Sequence, residues 1–359
     1  MKAKPVLILI HRWVGLVLAL LLLMQAVTGL LLVHKEALEP LATPAVRVAP
    51  GPKAGLDAVL ASVNAARPDL TLDRIYTPQR TDRALTARML DVKRRITILI
   101  IDPSSARVIS TGPIQRYPLQ LTERLHVALM QGAIGQVALL IEGLGLLFMA
   151  ISGLIVWWPR IRTLRQALTV HWNAGARRRW YDLHLVPGAL ASVFVAVSAF
   201  TGVGMIADPI FKAVVGVAAP VSPPLALPDM PKLAPGQSLA SAQSAMDALW
   251  TRFPDARLRQ IRFFAKERLV GVVMESGRSL NPRSHHLAAV DRAAAGKVIV
   301  WEDGDRPLAG DAVLGWMLPT HTGEIYGPAR GVIMSLVGLT LLLLTVSGVW
   351  LWISKPRRR

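Results

Sequence analysis

Hydrophobic and polar positions follow two different rhythms along this chain. Four stretches, about 12–33, 134–158, 183–206 and 329–353, are apolar for twenty residues or more with very few charges. At about 1.5 Å rise per residue, a helix of that length crosses a hydrocarbon core of roughly 30 Å. The first of them lies in HRWVGLVLALLLLMQAVTGLLLVH, where 22 residues separate His11 from His34 and only Arg12 among them is charged. It is too long and too uniformly apolar for a cleaved leader, and no A-x-A site follows it. The four stretches predict four membrane-spanning helices.

The intervening segments have shorter periods. GLDAVLASVNAAR places Leu56, Val59, Leu60 and Val63 on one helical face. LTLDRIYTP alternates as a strand does, and RRITILIIDPSSARVIS predicts two strands about a turn at Asp102–Pro103. The later segment has the same plan: SLASAQSAMDALWTRF is helical, ARLRQIRFF and RLVGVVME are strand-like, and HHLAAVDRAAAGKVIVWE is strand, turn, strand. Proline-rich connections, 35–50 and 217–236, lead into each.

The pattern repeats. His11, Gly15, Thr28 and Gly29 recur as His184, Gly188, Thr201 and Gly202, all offset by 173. His126, Gly132, Gly143, Ser152, Gly153 and Trp157 recur as His321, Gly327, Gly338, Ser347, Gly348 and Trp352, offset by 195. Pro68, Asp69 and Ile75 recur as Pro254, Asp255 and Ile261, offset by 186. The fold class expected is therefore membrane α-helical: a four-helix transmembrane bundle from two parallel repeats, with two small α+β external domains. Parallel repeats of this kind pack about a pseudo-two-fold axis along the membrane normal. The divisions expected are 1–34 (helix), 35–125 (external), 126–160 (helix), 161–182 (basic loop), 183–207 (helix), 208–320 (external) and 321–359 (helix and basic tail).

Composition agrees, with 52% hydrophobic residues and a net charge of +18. Much of that charge flanks the spans: Lys2, Lys4 and Arg12, then Arg160, Arg162, Arg165 and Arg177 to Arg179, then Lys355 and Arg357 to Arg359. This placement predicts cytoplasmic termini and a cytoplasmic 159–183 loop. It also argues against nucleic acid as a partner, since no basic patch falls in a binding motif. The partner surface is a lipid bilayer. No cysteine is present, which excludes disulfides, cysteine-ligated clusters and covalent haem attachment.

The repeat turns single histidines into pairs. His11 and His184 are equivalent at one membrane face, and His126 and His321 at the other. Imidazole ligates iron well, and a helical bundle can hold haem between two axial side chains. Gly15 and Gly188, one turn after His11 and His184, would let a flat ring approach the backbone. The same histidines also read as interfacial polar groups, and both readings stand at this point. Thr28–Gly29, Thr201–Gly202, Ser152–Gly153 and Ser347–Gly348 read as helix-packing contacts. His34 has no partner, because Ala207 occupies its equivalent position. Glu142 is an ionisable group inside a span, either functional or facing a polar interior. His171 reads as solvated, and His285 and His286 as surface residues that could also touch a substrate.

These elements carry a resemblance. HRWVGL…TGLLL, LHVALMQGAIG…GL…ISGLIVWWPR, RRRWYDLHLVPGAL and HTGEIYGPARG…LVGL…SGVWLW resemble the PepSY-associated transmembrane helix family, and the external units resemble PepSY domains. The resemblance implies a bacterial inner-membrane protein of iron uptake, a di-haem reductase of ferric siderophores. It implies two b-type haems, the histidines His11, His126, His184 and His321 falling on the family's positions. It also implies a ferric siderophore or other ferric complex as acceptor, and a cytoplasmic reductase or membrane quinol as donor. His34 departs from the family pattern, which more commonly has an aromatic there. The rival expectation is a non-enzymatic membrane protein whose PepSY-like domains bind a peptide, a protease or a transporter subunit.

Overall fold

The structure, a computed structural model, describes residues 3–355 apart from 224, 228, 229, 231, 232, 234, 235, 265–267, 280 and 295. Lys2 and Arg357 to Arg359, counted above among the flanking charges, lie outside the described residues, as do parts of the 217–236 connection and residue 295 of the last turn.

In chain order, α1 (Ala3–Val33) is followed by α2 (Lys35–Ala42) and α3 (Leu56–Ala66). Strands β1 (Thr71–Tyr76), β2 (Leu85–Leu90), β3 (Ile96–Ile101) and β4 (Val108–Pro113) come next. Then come α4 (Pro118–Ala128), α5 (Gly132–Trp157), the short α6 (Leu164–Ala167), α7 (Ala176–Ile206) and α8 (Asp208–Gly216). The second half continues with α9 (Ala242–Arg252) and strands β5 (Arg257–Phe264), β6 (Leu269–Glu275), β7 (His285–Asp291) and β8 (Val298–Glu302). It ends with α10 (Ala309–Leu314), α11 (Met317–Thr322) and α12 (Arg330–Ile353).

These elements form two compact units. One gathers residues 1–35, 122–211 and 317–359, and contains four helices long and apolar enough to cross a membrane among the described residues. The protein is a multi-pass membrane protein. In the bundle α1 packs against α5 and α12, and α7 packs against the same two helices. Repeat-equivalent helices thus stand on diagonals.

Two helices start earlier than expected. α1 begins at Ala3 because KPVLILI continues the apolar run, so His11 sits two turns inside the helix. α7 begins at Ala176 and takes in RRRWYD, so His184 is also eight residues from the helix start. The entry to α5 depends on glycine. Gly132 has φ +55°, and a Cβ on Gly135 would meet the Ala128 carbonyl at 1.9 Å. α4 therefore turns back sharply onto the start of α5. Gly327, the equivalent of Gly132, has φ +52° before α12, so a positive φ recurs at the equivalent position, where glycine meets no Cβ penalty.

The second unit gathers residues 36–121 and 212–316. Its strands form one antiparallel sheet in the order β4-β3-β2-β1-β5-β6-β7-β8. The two α+β segments expected to be separate domains therefore share a sheet, joined where β1 pairs with β5. At the centre of that pairing Ile75 faces Ile261, the residues related by the offset of 186. Both are buried, as are Val59, Val63, Ala245 and Leu249 from α3 and α9, in a single core on one face of the sheet. Edge pairing satisfies backbone groups that each half alone would leave open. Strand β2, LTARML, went unrecognised in the sequence. Only Thr86 in it favours strands, while Leu, Ala and Met suit helices equally, and pairing on both sides by β1 and β3 decides the outcome.

Candidate functional site

Each paired histidine is held by a hydroxyl from a neighbouring helix. His11 Nδ1 lies 2.8 Å from Ser152 Oγ, and His184 Nδ1 lies 2.8 Å from Ser347 Oγ. His126 Nδ1 lies 2.9 Å from Thr28 Oγ1. His321 Nδ1 lies 3.3 Å from Thr201 Oγ1 and 2.9 Å from the Ser198 carbonyl. Each hydroxyl has one proton, and each gives it to a carbonyl of its own helix. Ser152 donates to Met149 O at 3.3 Å and Ser347 to Leu344 O at 3.2 Å. Thr28 donates to Met24 O at 2.7 Å and Thr201 to Val197 O at 2.8 Å. With its proton on that carbonyl, a hydroxyl oxygen accepts from Nδ1–H and the lone pair is left on Nε2; for His321 the Ser198 carbonyl, which can only accept, requires this tautomer.

The glycine after each hydroxyl completes the seat. A Cβ on Gly153 would come within 3.2 Å of His11 Cε1, and one on Gly348 within 3.3 Å of His184 Cε1. On Gly29 and Gly202 it would lie 3.2 and 3.1 Å from Cε1 of His126 and His321. The four hydroxyl–glycine pairs that read as helix packing are the seats of the four histidines. The signal was present in the sequence, since each pair recurs with the same offset as a histidine.

The pairs lie at two levels. His11 and Thr28 are 17 residues apart on α1, as are His184 and Thr201 on α7, or about 25 Å of helical rise. At the first level a cavity of about 910 Å³ is lined by His11, His184, Gly15, Gly188, Arg12 and Arg178 among others. That falls within the ~300–1,000 Å³ range of small-molecule and cofactor pockets. The space beside Gly15 is taken by Met149 Cε, and that beside Gly188 by Leu344 Cδ2, both ends of flexible side chains. Arg12 Nε is buried there without a hydrogen-bond partner among the described residues. At the second level the rings of His126, on α4, and His321, on α11, have centres 6.3 Å apart.

The remaining candidates fall elsewhere. His34 Nε2 is 2.8 Å from Ser335 Oγ, so its own Nε2 is engaged. His171, expected to be solvated, is half exposed and bonded through Nδ1 to the buried Asp182 at 2.9 Å, which also pairs with Arg178. Glu142 is 3% exposed within α5, and its Oε2 has no hydrogen-bond partner among the described residues.

In the sheet unit, His285 and His286 take opposite faces of β7. His285 Nε2 lies 3.1 Å from Glu302, which holds its pKa above the ordinary value against the opposing effect of burial. His286 is buried against Phe253, ring centres 4.1 Å apart, with Asp303 and Asp305 nearby. The Gly304 amide donates to His286 Nδ1 at 3.2 Å, which satisfies that buried nitrogen from within the chain. Burial keeps the pKa of His286 below the ordinary value.

A family model described as the PepSY-associated TM region matches residues 8–355. A comparison with curated proteins gave no match.

Proposed function

The chain belongs to the PepSY-associated TM region family, and from that premise we propose that it is an inner-membrane electron-transfer protein that binds two b-type haems and reduces a ferric complex. The observation that carries this reading is the repeated seat. Four histidines at two levels each engage Nδ1 with a hydroxyl or carbonyl of a neighbouring helix, which leaves Nε2 for a ligand. Metal-ligating histidines are oriented in this way, the outer hydrogen bond fixing the ring and raising its basicity. A histidine placed only for packing has no need of the same arrangement four times over.

His11 and His184 would hold one haem and His126 and His321 the other. Bound there, haem would supply one-electron redox chemistry. The chain's own part is orientation and enclosure. Ser152, Ser347, Thr28 and Thr201 hold the rings against rotation, and the glycines allow each ring to sit against the backbone of the facing helix. Arg12, whose buried Nε has no hydrogen-bond partner among the described residues, brings positive charge to a largely apolar cavity wall, suited to carboxylates on an apolar ring.

Arg160, Arg162 and Arg165 lie on the connection between α5 and α7 and Arg177 to Arg179 in the first turn of α7, and by the positive-inside rule this charge supports a cytoplasmic His11 level. In this reading an electron enters there from a cytoplasmic reductase or a membrane quinol. It leaves at the His126 level to a ferric siderophore or other ferric complex in the periplasm.

The test is an absorption spectrum of detergent-purified protein from haem-replete cells. Six-coordinate low-spin haem near two per chain is the expected result. A colourless protein would sink the proposal and leave the non-enzymatic reading, a membrane protein binding a peptide or protein partner.

A further inference from the structure

The sheet unit carries an unbalanced charge cluster on the face away from α3 and α9. Along one row of the ladder, Arg88 on β2 pairs with Arg74 on β1, and Arg74 pairs with Arg262 on β5. Ile75 and Ile261, one residue along, point to the core on the other face. Three arginines therefore stand side by side on three central strands. Like charges directly opposite across a ladder destabilise it. A fold gains nothing from this row by itself.

Among the described residues the only carboxylate hydrogen-bonded within the row is Asp73, displaced onto this face by a register shift between Leu72 and Arg74. It accepts from Arg74 Nε at 2.6 Å and from Arg88 Nε at 2.7 Å. Arg262 bonds only the neutral Gln260 Oε1 at 3.0 Å among the described residues. Glu302, which also interacts with Arg262, is engaged by His285 at 3.1 Å and approached by Lys212 at 3.9 Å. Tyr76, Asp73 and Arg88 are further charged or titratable neighbours of Arg262. Burial, with Arg74 and Arg88 adding to it against Tyr76 and Asp73, holds the Arg262 pKa below its ordinary value.

The equivalent place in the repeat is balanced. The register shift recurs between Leu258 and Gln260, where Arg259 stands in the position of Asp73. Arg259 pairs with Glu275 at 2.5 Å, and the positions matching Arg74 and Arg262 are Gln260 and Tyr76. The excess of positive charge belongs to one side of the shared sheet, so repeat symmetry does not impose it.

We infer that Arg74, Arg88 and Arg262 form a binding site for a multiply charged carboxylate ligand, such as a polycarboxylate chelate of ferric iron. Guanidinium forks match carboxylates with two parallel hydrogen bonds, and half-burial strengthens such bonds. The charge count asks for a ligand with more than one negative group. The inference deepens the reductase reading by naming the class of its acceptor, an anionic chelate in place of a neutral or cationic one.

The test is calorimetric titration of the full-length protein in detergent with citrate, a tricarboxylate, and in a second arm with inorganic phosphate. Wild type should bind citrate, more weakly as salt is raised. Arg262→Gln should lose at least tenfold in affinity, Arg262→Lys should fall between the two, and Arg306→Gln should match wild type. Thermal unfolding separates a binding role from a structural one. Arg262→Gln removes a like-charge pair and should unfold at the same or a higher temperature. No citrate binding by wild type, equal binding by Arg262→Gln, or binding of phosphate alone would overturn the assignment. Citrate binding needs no haem, so colourless protein that binds citrate sinks only the reductase reading. Haem-loaded protein that ignores citrate sinks only this inference.

Discussion

His126 and His321 face one another with ring centres 6.3 Å apart and planes tilted by 53°. They come from α4 and α11, two short helices preceding different membrane spans. If this pair and the His11–His184 pair ligate separate haems, the variants sort by level. His126→Ala or His321→Ala should remove or convert one haem and leave the other intact in the optical spectrum. His11→Ala or His184→Ala should do the reverse. His34→Ala should keep both. Loss of both haems from any single variant that still folds would contradict the pairing.

The hydroxyls give a subtler series. Ser152→Ala and Ser347→Ala remove the acceptor of Nδ1–H from His11 and His184, and should weaken haem retention about 10–100-fold at that level only. Thr28→Val removes the same bond from His126. Thr201→Val should act more mildly, because His321 keeps the Ser198 carbonyl at 2.9 Å. Haem content after dilution, read optically, checks all four. Equal effects from Thr28→Val and Thr201→Val would count against the hydrogen-bond argument.

Where Ile75 meets Ile261, truncation should be felt by both halves of the sheet. The two side chains are 1% and 5% exposed. Ile75→Ala or Ile261→Ala should each cost about 2–5 kcal/mol, as buried large-to-small changes do. Limited proteolysis should then open both halves together, since one core serves them. Cleavage confined to one half would show that the halves are independent.

The His285–Glu302 pair makes stability depend on pH. His285 has its pKa raised from 6.5 chiefly by its bond to Glu302, so its contribution is complete below 6.5 and is lost as pH rises through the raised value. Glu302 has its pKa lowered from 4.5 chiefly by the same bond, so its contribution is complete above 4.5 and is lost as pH falls through the lowered value. Thermal unfolding across pH should show a decline on the alkaline side that His285→Gln flattens. The pair is partly exposed, so the effect is small. An unchanged slope in the variant would assign the decline to other groups.

Topology can be tested because the chain has no cysteine. Val92 is fully exposed in the sheet unit, and Thr163 is exposed in the basic connection. In intact spheroplasts a cysteine at Val92 should react with an impermeant thiol reagent, and one at Thr163 should not. The opposite labelling would reverse the direction of electron flow.

Much of this protein was legible in its residues. Four long apolar runs fix four spans, because a bilayer leaves a chain no other low-cost way to satisfy its backbone. The offsets of 173, 186 and 195 paired the histidines and matched Ile75 with Ile261. Tertiary structure decided what those equivalences do. The sequence showed that Ser152 and His11 each recur, but not that they touch, since 141 positions separate them and only the packing of α1 on α5 joins them. It showed two α+β segments and led to two separate domains where the structure has one shared sheet, because edge pairing depends on both edges being free and in register. Nothing in the sequence groups Arg74, Arg88 and Arg262. Only the ladder, by setting β2, β1 and β5 side by side, turns them into a row, because strand neighbours are chosen by pairing and leave no period in the sequence.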